Sequence, residues 1–275
     1  MENLPQLSGR LTGFNVANIL KGLLVFSTGL VLLGWLWFTP PGLLGKADAA
    51  GYAVCHRIAA RSFVIGDRQA PLCARCSGMY LGALLGIAYL CRFGKRSGMP
   101  SLKVSAVLFA FLIGFGLDGA NSYLHFFPGA PGLYEPTNML RLITGTGIGL
   151  GLAAILMPVA HQVLWKAYDA RPALAGWRQF LPLLGLAGLI DLAVLSENPL
   201  LLYPLALLSA ASIFVILSIV YMVVWLMVTK KENRLDNYRD LAFPWLAGFL
   251  TALLQIAILD AVRYFLTGTW AGFNL

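Results

Sequence analysis

The residues best equipped for chemistry crowd one short stretch: Cys55 and His56 stand side by side, and Cys73 and Cys76 follow as a Cys-x-x-Cys pair. A separation of three puts both thiols of the pair on one face of a helix. A helix N-terminus there, and Arg75 between them, would lower their pKa values, which serves metal ligation and thiol exchange alike. Cys91 lies about 22 Å further along the same predicted helix and cannot join them. Three thiols are an odd number, so they cannot all pair within the chain. Three thiolates and an imidazole, in contrast, make a tetrahedral zinc set. His56 is one candidate for the fourth ligand and His125 is its rival; the strain of adjacent ligands at Cys55 and His56 favours His125. Two other readings use the same residues: a structural disulfide with a spare thiol, and a thiol–disulfide exchange site in which Cys55 relays to Cys73 and Cys76. His161 reads as an ordinary loop residue.

Charged groups gather around this segment. Arg57, Arg61 and Arg68 could solvate a loop or meet anionic headgroups, grip a phosphate or carboxylate, or pair internally with Asp118, Glu135, Asp191 and Asp260. These readings stand level. Asp118, Asp191 and Asp260 fall inside the third, fifth and seventh apolar runs, with Arg141 opening the fourth and Arg263 ending the seventh. A charge in hydrocarbon costs a few kcal/mol or more and faces a cavity or a partner. At about 1.5 Å per residue the five sit at similar depth, which suggests one polar chamber; the alternative is snorkelling and helix-to-helix ion pairs. In the chamber reading Asp118 is a general base or an orienting group. Arg61, Arg75 and Arg141 then bind negative charge, and Asn138, three residues before Arg141, points the same way.

The elements that must position these groups are membrane helices. The 275 residues are 59% hydrophobic and 12% charged, with a mean hydropathy of +0.75, far from the balance of a soluble domain. This excludes a water-soluble enzyme, a disordered chain and a disulfide scaffold, and predicts an all-α, polytopic transmembrane helical bundle. Runs near 20–38, 74–92, 102–120, 139–160, 180–196, 200–228 and 242–266 give seven spans. The fifth is short and the sixth long, so six is the alternative count. The net charge of +8 is scattered between the runs, and no nucleic-acid motif is present. Basic residues crowd the second, fourth and sixth loops, as Arg92, Lys95, Arg96 and Lys103, then Lys166, Arg171 and Arg178, then Lys230, Lys231, Arg234 and Arg239. With Arg10 and Lys21 they place the N-terminus in the cytoplasm and the C-terminus outside. The Cys/His segment then faces the exterior. Gly78, Gly82 and Gly86 in the second run, and Gly145, Gly149 and Ala153 in the fourth, predict that these two helices touch.

Between Cys55-His56, Arg61-Ser62-Phe63, Pro71-Leu72-Cys73-Ala74-Arg75-Cys76-Ser77-Gly78, Asp118-Gly119 and Thr137-Asn138-Met139-Leu140-Arg141, the chain resembles a prokaryotic membrane-protein family, domain of unknown function 2085. The resemblance covers about residues 50–155. It implies that Cys55, His56, Arg61, Cys73, Arg75 and Cys76 act together with Asp118, Asn138 and Arg141, and it names no reaction. The chain accordingly divides into a tail and first span over 1–49, a Cys/His-motif membrane domain over 50–155, and a three-helix extension over 156–275. The expectation is a membrane protein that binds zinc and acts on a lipid-linked or anionic substrate. Its alternatives are a membrane thiol–disulfide oxidoreductase, a proton- or cation-coupled transporter, and a non-catalytic subunit. The bilayer is the one partner the sequence specifies.

Overall fold

A backbone in lipid must satisfy its own N–H and C=O groups, so long apolar runs become helices. The computed structural model describes residues 16–127, 129 and 132–273; Arg10 lies outside them. Among the described residues seven helices are long and apolar enough to cross a bilayer. They are α1 (Val16–Phe38), α3 (Ala74–Cys91), α4 (Leu102–Leu124), α5 (Asn138–Leu164), α6 (Trp177–Leu195), α7 (Pro199–Val228) and α8 (Ala242–Thr267). The 19 residues of α6 and the 30 of α7 rise about 28 and 45 Å, enough for each to cross by itself, α7 with tilt. Among the described residues the helices thus give seven candidate spans rather than six.

Helices α3 and α5 form the buried centre and the most extensive helix pair. Their glycines permit it: a methyl group at Gly78 would collide with the Leu142 carbonyl, at Gly82 with the Thr146 carbonyl, and at Gly145 with the Arg75 carbonyl. The two backbones touch, and the first turn of α3 is held against the first turns of α5.

An eighth helix, α2 (Gly42–Val54), follows α1 after Pro40, Pro41 and a left-handed Gly42 at φ 78°. Its small residues Gly45, Ala47, Ala49, Ala50 and Gly51 are all buried, and Ala47, Ala49 and Ala50 belong to a core with Trp35, Ala210, Ile213, Leu253 and Ile256. A hairpin comes next, β1 (Ser62–Ile65) antiparallel to β2 (Arg68–Cys73), turning at Gly66 with φ 64°. The connection read as a plain loop is thus a helix and a hairpin.

At the other end, β3 (Arg96–Gly98) pairs in parallel with β4 (Asp169–Pro172), and Trp165 bridges to Leu235. Lys95 lies 3.7 Å over the Trp165 ring. The three basic loops thereby assemble at one end of the bundle, where Lys21 of α1 also sits over Phe243 of α8.

Candidate functional site

The three sulfurs meet where α2, β2 and α3 converge. Cys55 caps α2, its N–H bonded to the Gly51 carbonyl at 2.8 Å. Cys73 ends β2 and is the N-cap of α3, and Cys76 lies in that helix's first turn. The sulfurs of Cys55, Cys73 and Cys76 all lie within 4.8 Å of one another. All three thiols are free; Cys55 and Cys73 are buried and Cys76 is half-buried. The backbone N–H groups of Arg57 and Cys73 each donate to Cys55 Sγ at 3.4 Å. Arg57 has a left-handed backbone at φ 52°, a conformation that costs a non-glycine residue about 1 kcal/mol or more. Its guanidinium, bonded to Asp48 at 2.7 Å and to the Trp270 carbonyl at 3.1 Å, holds it there.

Hydrogen bonds from the Cys73 thiol, then from Cys76, keep Cys55 well below the ordinary thiol range despite its burial. Cys73 is pushed up to about 12, chiefly by its hydrogen bond to Cys55. Of the three thiols, Cys55 is thus the one most readily deprotonated. Beside it lies His56, with Nδ1 3.9 Å from Cys55 Sγ. His125 is placed elsewhere: its Nδ1 is 2.8 Å from the Asn121 carbonyl and its Nε2 is 4.0 Å from Glu135. The structure thus seats His56, not His125, next to the sulfurs, because the chain turns at Arg57 directly after it. His161 bonds to the Arg96 carbonyl at the opposite end.

The arginines flank this cluster through the hairpin. Ser62 pairs across the hairpin with Cys73, which sets Arg61 beside the sulfur strand. Arg61 donates to the Ser122 carbonyl at 2.9 Å and lies 3.8 Å over the Phe126 ring. Burial, then the charges of Arg141 and Arg75, lower its pKa, so the three guanidinium groups feel one another. Arg75 is ion-paired with Asp118, which is 1% exposed. Tyr134 donates to the same carboxylate at 3.0 Å. Arg141, also buried, donates to Asn138 Oδ1 at 2.9 Å. Arg61 and Arg141 have no carboxylate within ion-pairing distance among the described residues, and Arg141 Nε has no partner. Two positive charges are left over in a mostly buried place.

The single chamber of five charges does not form. Asp191 accepts from Thr146 at 2.6 Å and lines a groove between α5 and α6. Asp260 accepts from Trp35 Nε1 at 2.9 Å between α1 and α8. Each helix turns its acid toward its own neighbour, since the α3–α5 contact fills the centre. Arg57 and Arg68 do pair internally, but with Asp48 of α2. Asp48 and the site neighbours Ser122, Phe126 and Tyr134 are residues that the sequence pattern does not single out. The signal for Asp48 was an acid in an Ala/Gly-rich run of helical length.

Comparison with known proteins follows the same residues. The profile of the family described as "Predicted membrane protein (DUF2085)" matches residues 55–155, from the first cysteine of the cluster into α5. An uncharacterized protein of Methanocaldococcus jannaschii is 30% identical over 115 residues, 42% of this chain and 69% of the relative. An uncharacterized protein of Methanothermobacter thermautotrophicus is 30% identical over 111 residues, 40% of this chain and 91% of the relative. No solved structure matches the chain. With most of both relatives covered and the matched segment containing all three clustered sulfurs, Asp118 and Arg141, the chain belongs to the DUF2085 family of predicted membrane proteins.

Proposed function

We propose that this membrane protein binds a soft divalent metal, zinc above others, at Cys55, Cys73 and Cys76, with His56 closest to the fourth position. Beside it, Arg61 and Arg141 hold an anionic or lipid-linked substrate group, and Asn138 and the Arg75–Asp118 pair orient them. The reading is carried by one observation: three free sulfurs from two separate chain segments lie within 4.8 Å of one another. Zn–S bonds of about 2.3 Å require tetrahedral sulfurs roughly 3.8 Å apart, so only a small contraction is needed. Charge supports the same reading. Three thiolates and one dication sum to a single negative charge, which offsets one of the two uncompensated guanidinium charges and leaves one positive charge for an anion. Metal ligation would also deprotonate Cys73 and Cys76.

Metal analysis of protein purified without chelator tests this. One equivalent of zinc per chain is expected, lost in Cys73→Ser and in Cys55→Ser, and cobalt should give a thiolate charge-transfer band in the parent alone. Metal-free protein that traps mixed disulfides in single Cys→Ser variants would overturn it in favour of thiol exchange.

A further inference from the structure

The turn that seats His56 beside the sulfurs belongs to no helix or strand, and its carbonyls are held one by one. The Cys55 carbonyl accepts from Arg263 at 2.6 Å, the His56 carbonyl from the Phe273 N–H at 3.0 Å, and the Arg57 carbonyl from Gln69 at 2.8 Å. Arg263 and Phe273 lie in α8 and the segment after it, outside the residues 55–155 that the family profile matches. Gly268, left-handed at φ 66°, ends α8 and lets the chain reverse there. Tyr52 of α2 then donates to the Thr269 carbonyl at 2.7 Å, and Arg57 to the Trp270 carbonyl at 3.1 Å. The Trp270 ring packs on the core that contains Cys55 and Cys73. Gly272 lies so close to the Arg57 carbonyl that a methyl group there would overlap it.

A left-handed Arg57 persists only while its surroundings over-determine it. Cys55 and His56 differ in what else holds them. The Cys55 N–H caps α2 on Gly51, and its sulfur takes the Cys73 N–H, so it stays in place whatever the turn does. The His56 ring meets only Cys55 Sγ, at 3.9 Å, among the described residues. Its position is therefore set by the backbone of the turn. We propose that residues 268–273, with Arg263, form a strap that positions His56 as the fourth ligand of the metal centre. The proposal rests on the reading of the sulfur cluster given above. Without the strap the turn relaxes, the imidazole leaves, and three thiolates remain.

The test uses the intact chain loaded with zinc or cobalt. Gly272→Leu drives the strap off the Arg57 carbonyl, and Tyr52→Phe removes its bond to Thr269. Both variants should still bind one metal per chain. In chelator competition the affinity should fall about tenfold in Gly272→Leu, the scale on which partners outside the ligand set act, and by less in Tyr52→Phe. The cobalt d–d bands should shift as in His56→Ala, while the thiolate charge-transfer band persists. His56→Ala combined with Gly272→Leu should lose no more than His56→Ala alone. Spectra and affinities unchanged in both strap variants, losses that add to that of His56→Ala, or parent-like binding by His56→Ala would each overturn the strap's role and leave a three-sulfur centre standing. A parent chain that takes up no metal would overturn the reading of the cluster, and the strap's role with it.

Discussion

By residue type and spacing Arg75 and Arg141 are equal anion ligands, and the structure gives them different work. Arg75 neutralises Asp118, an acid almost wholly buried in α4. Removing one partner of such a pair leaves an uncompensated charge, at a cost of roughly 3–5 kcal/mol. Arg75→Ala should therefore lower unfolding midpoints in detergent steeply, and Arg75→Ala with Asp118→Asn should recover part of the loss. Arg141 has only Asn138 Oδ1 as a side-chain partner, so Arg141→Gln should leave stability close to that of the parent while weakening retention of anionic probes; unchanged retention would remove it from the site. At this scale the sulfurs were legible because three thiols and an odd count admit few arrangements. Which imidazole lies beside the sulfurs was not, because it turns on one strained backbone angle at Arg57. Arg57 and Arg68 found their partner in Asp48, whose Ala/Gly-rich run of helical length was the one signal that a short buried helix holds it.

Helices were legible wherever a bilayer enforces them, and the seven long runs begin and end within a few residues of their expected bounds. The short elements were not. The hairpin signal, Gly66-Asp67 between the runs Phe63–Ile65 and Gln69–Leu72, lay in the sequence, but strands this brief are held by α2 and α3 rather than by their own pattern. The small-residue stripes did identify the α3–α5 contact. Gly78→Leu should fail to assemble, since its Cβ would meet the Leu142 carbonyl, whereas Gly116→Ala on α4, where a Cβ meets nothing within 4 Å, should be tolerated; size-exclusion profiles of the two variants decide this. The β3–β4 pair offers a pH test. Arg171 holds Asp169 at about 2, below its unfolded value near 3.9. Its contribution is thus fully present above about pH 4 and fades as the pH falls through about 2. The midpoint difference between parent and Asp169→Asn should be constant from pH 7 to 5 and shrink only in stronger acid.

Across the whole molecule, one end is basic and the other carries the sulfurs. The basic end is built from three loops bound to one another by the β3–β4 pair, the Trp165–Leu235 bridge and Lys95 on the Asp236 carbonyl. Because these loops touch, they must face the same side, and the Cys55 turn at the opposite end of α3 must face the other. Short loops rich in Lys and Arg stay on the cytoplasmic side during insertion, so the hairpin tip should be external. A cysteine introduced at Asp67, in a Cys91→Ala background, should react with a membrane-impermeant maleimide in intact cells; one at Lys231 should react only after permeabilisation. The background chain without either addition corrects for the half-buried Cys76. The reverse pattern would invert the molecule and put the sulfur cluster in a reducing compartment, where a metal centre is still favoured but a disulfide relay is not. Orientation thus constrains the chemistry directly: only with the hairpin outside do both readings of the three thiols remain open to experiment, and metal content then separates them.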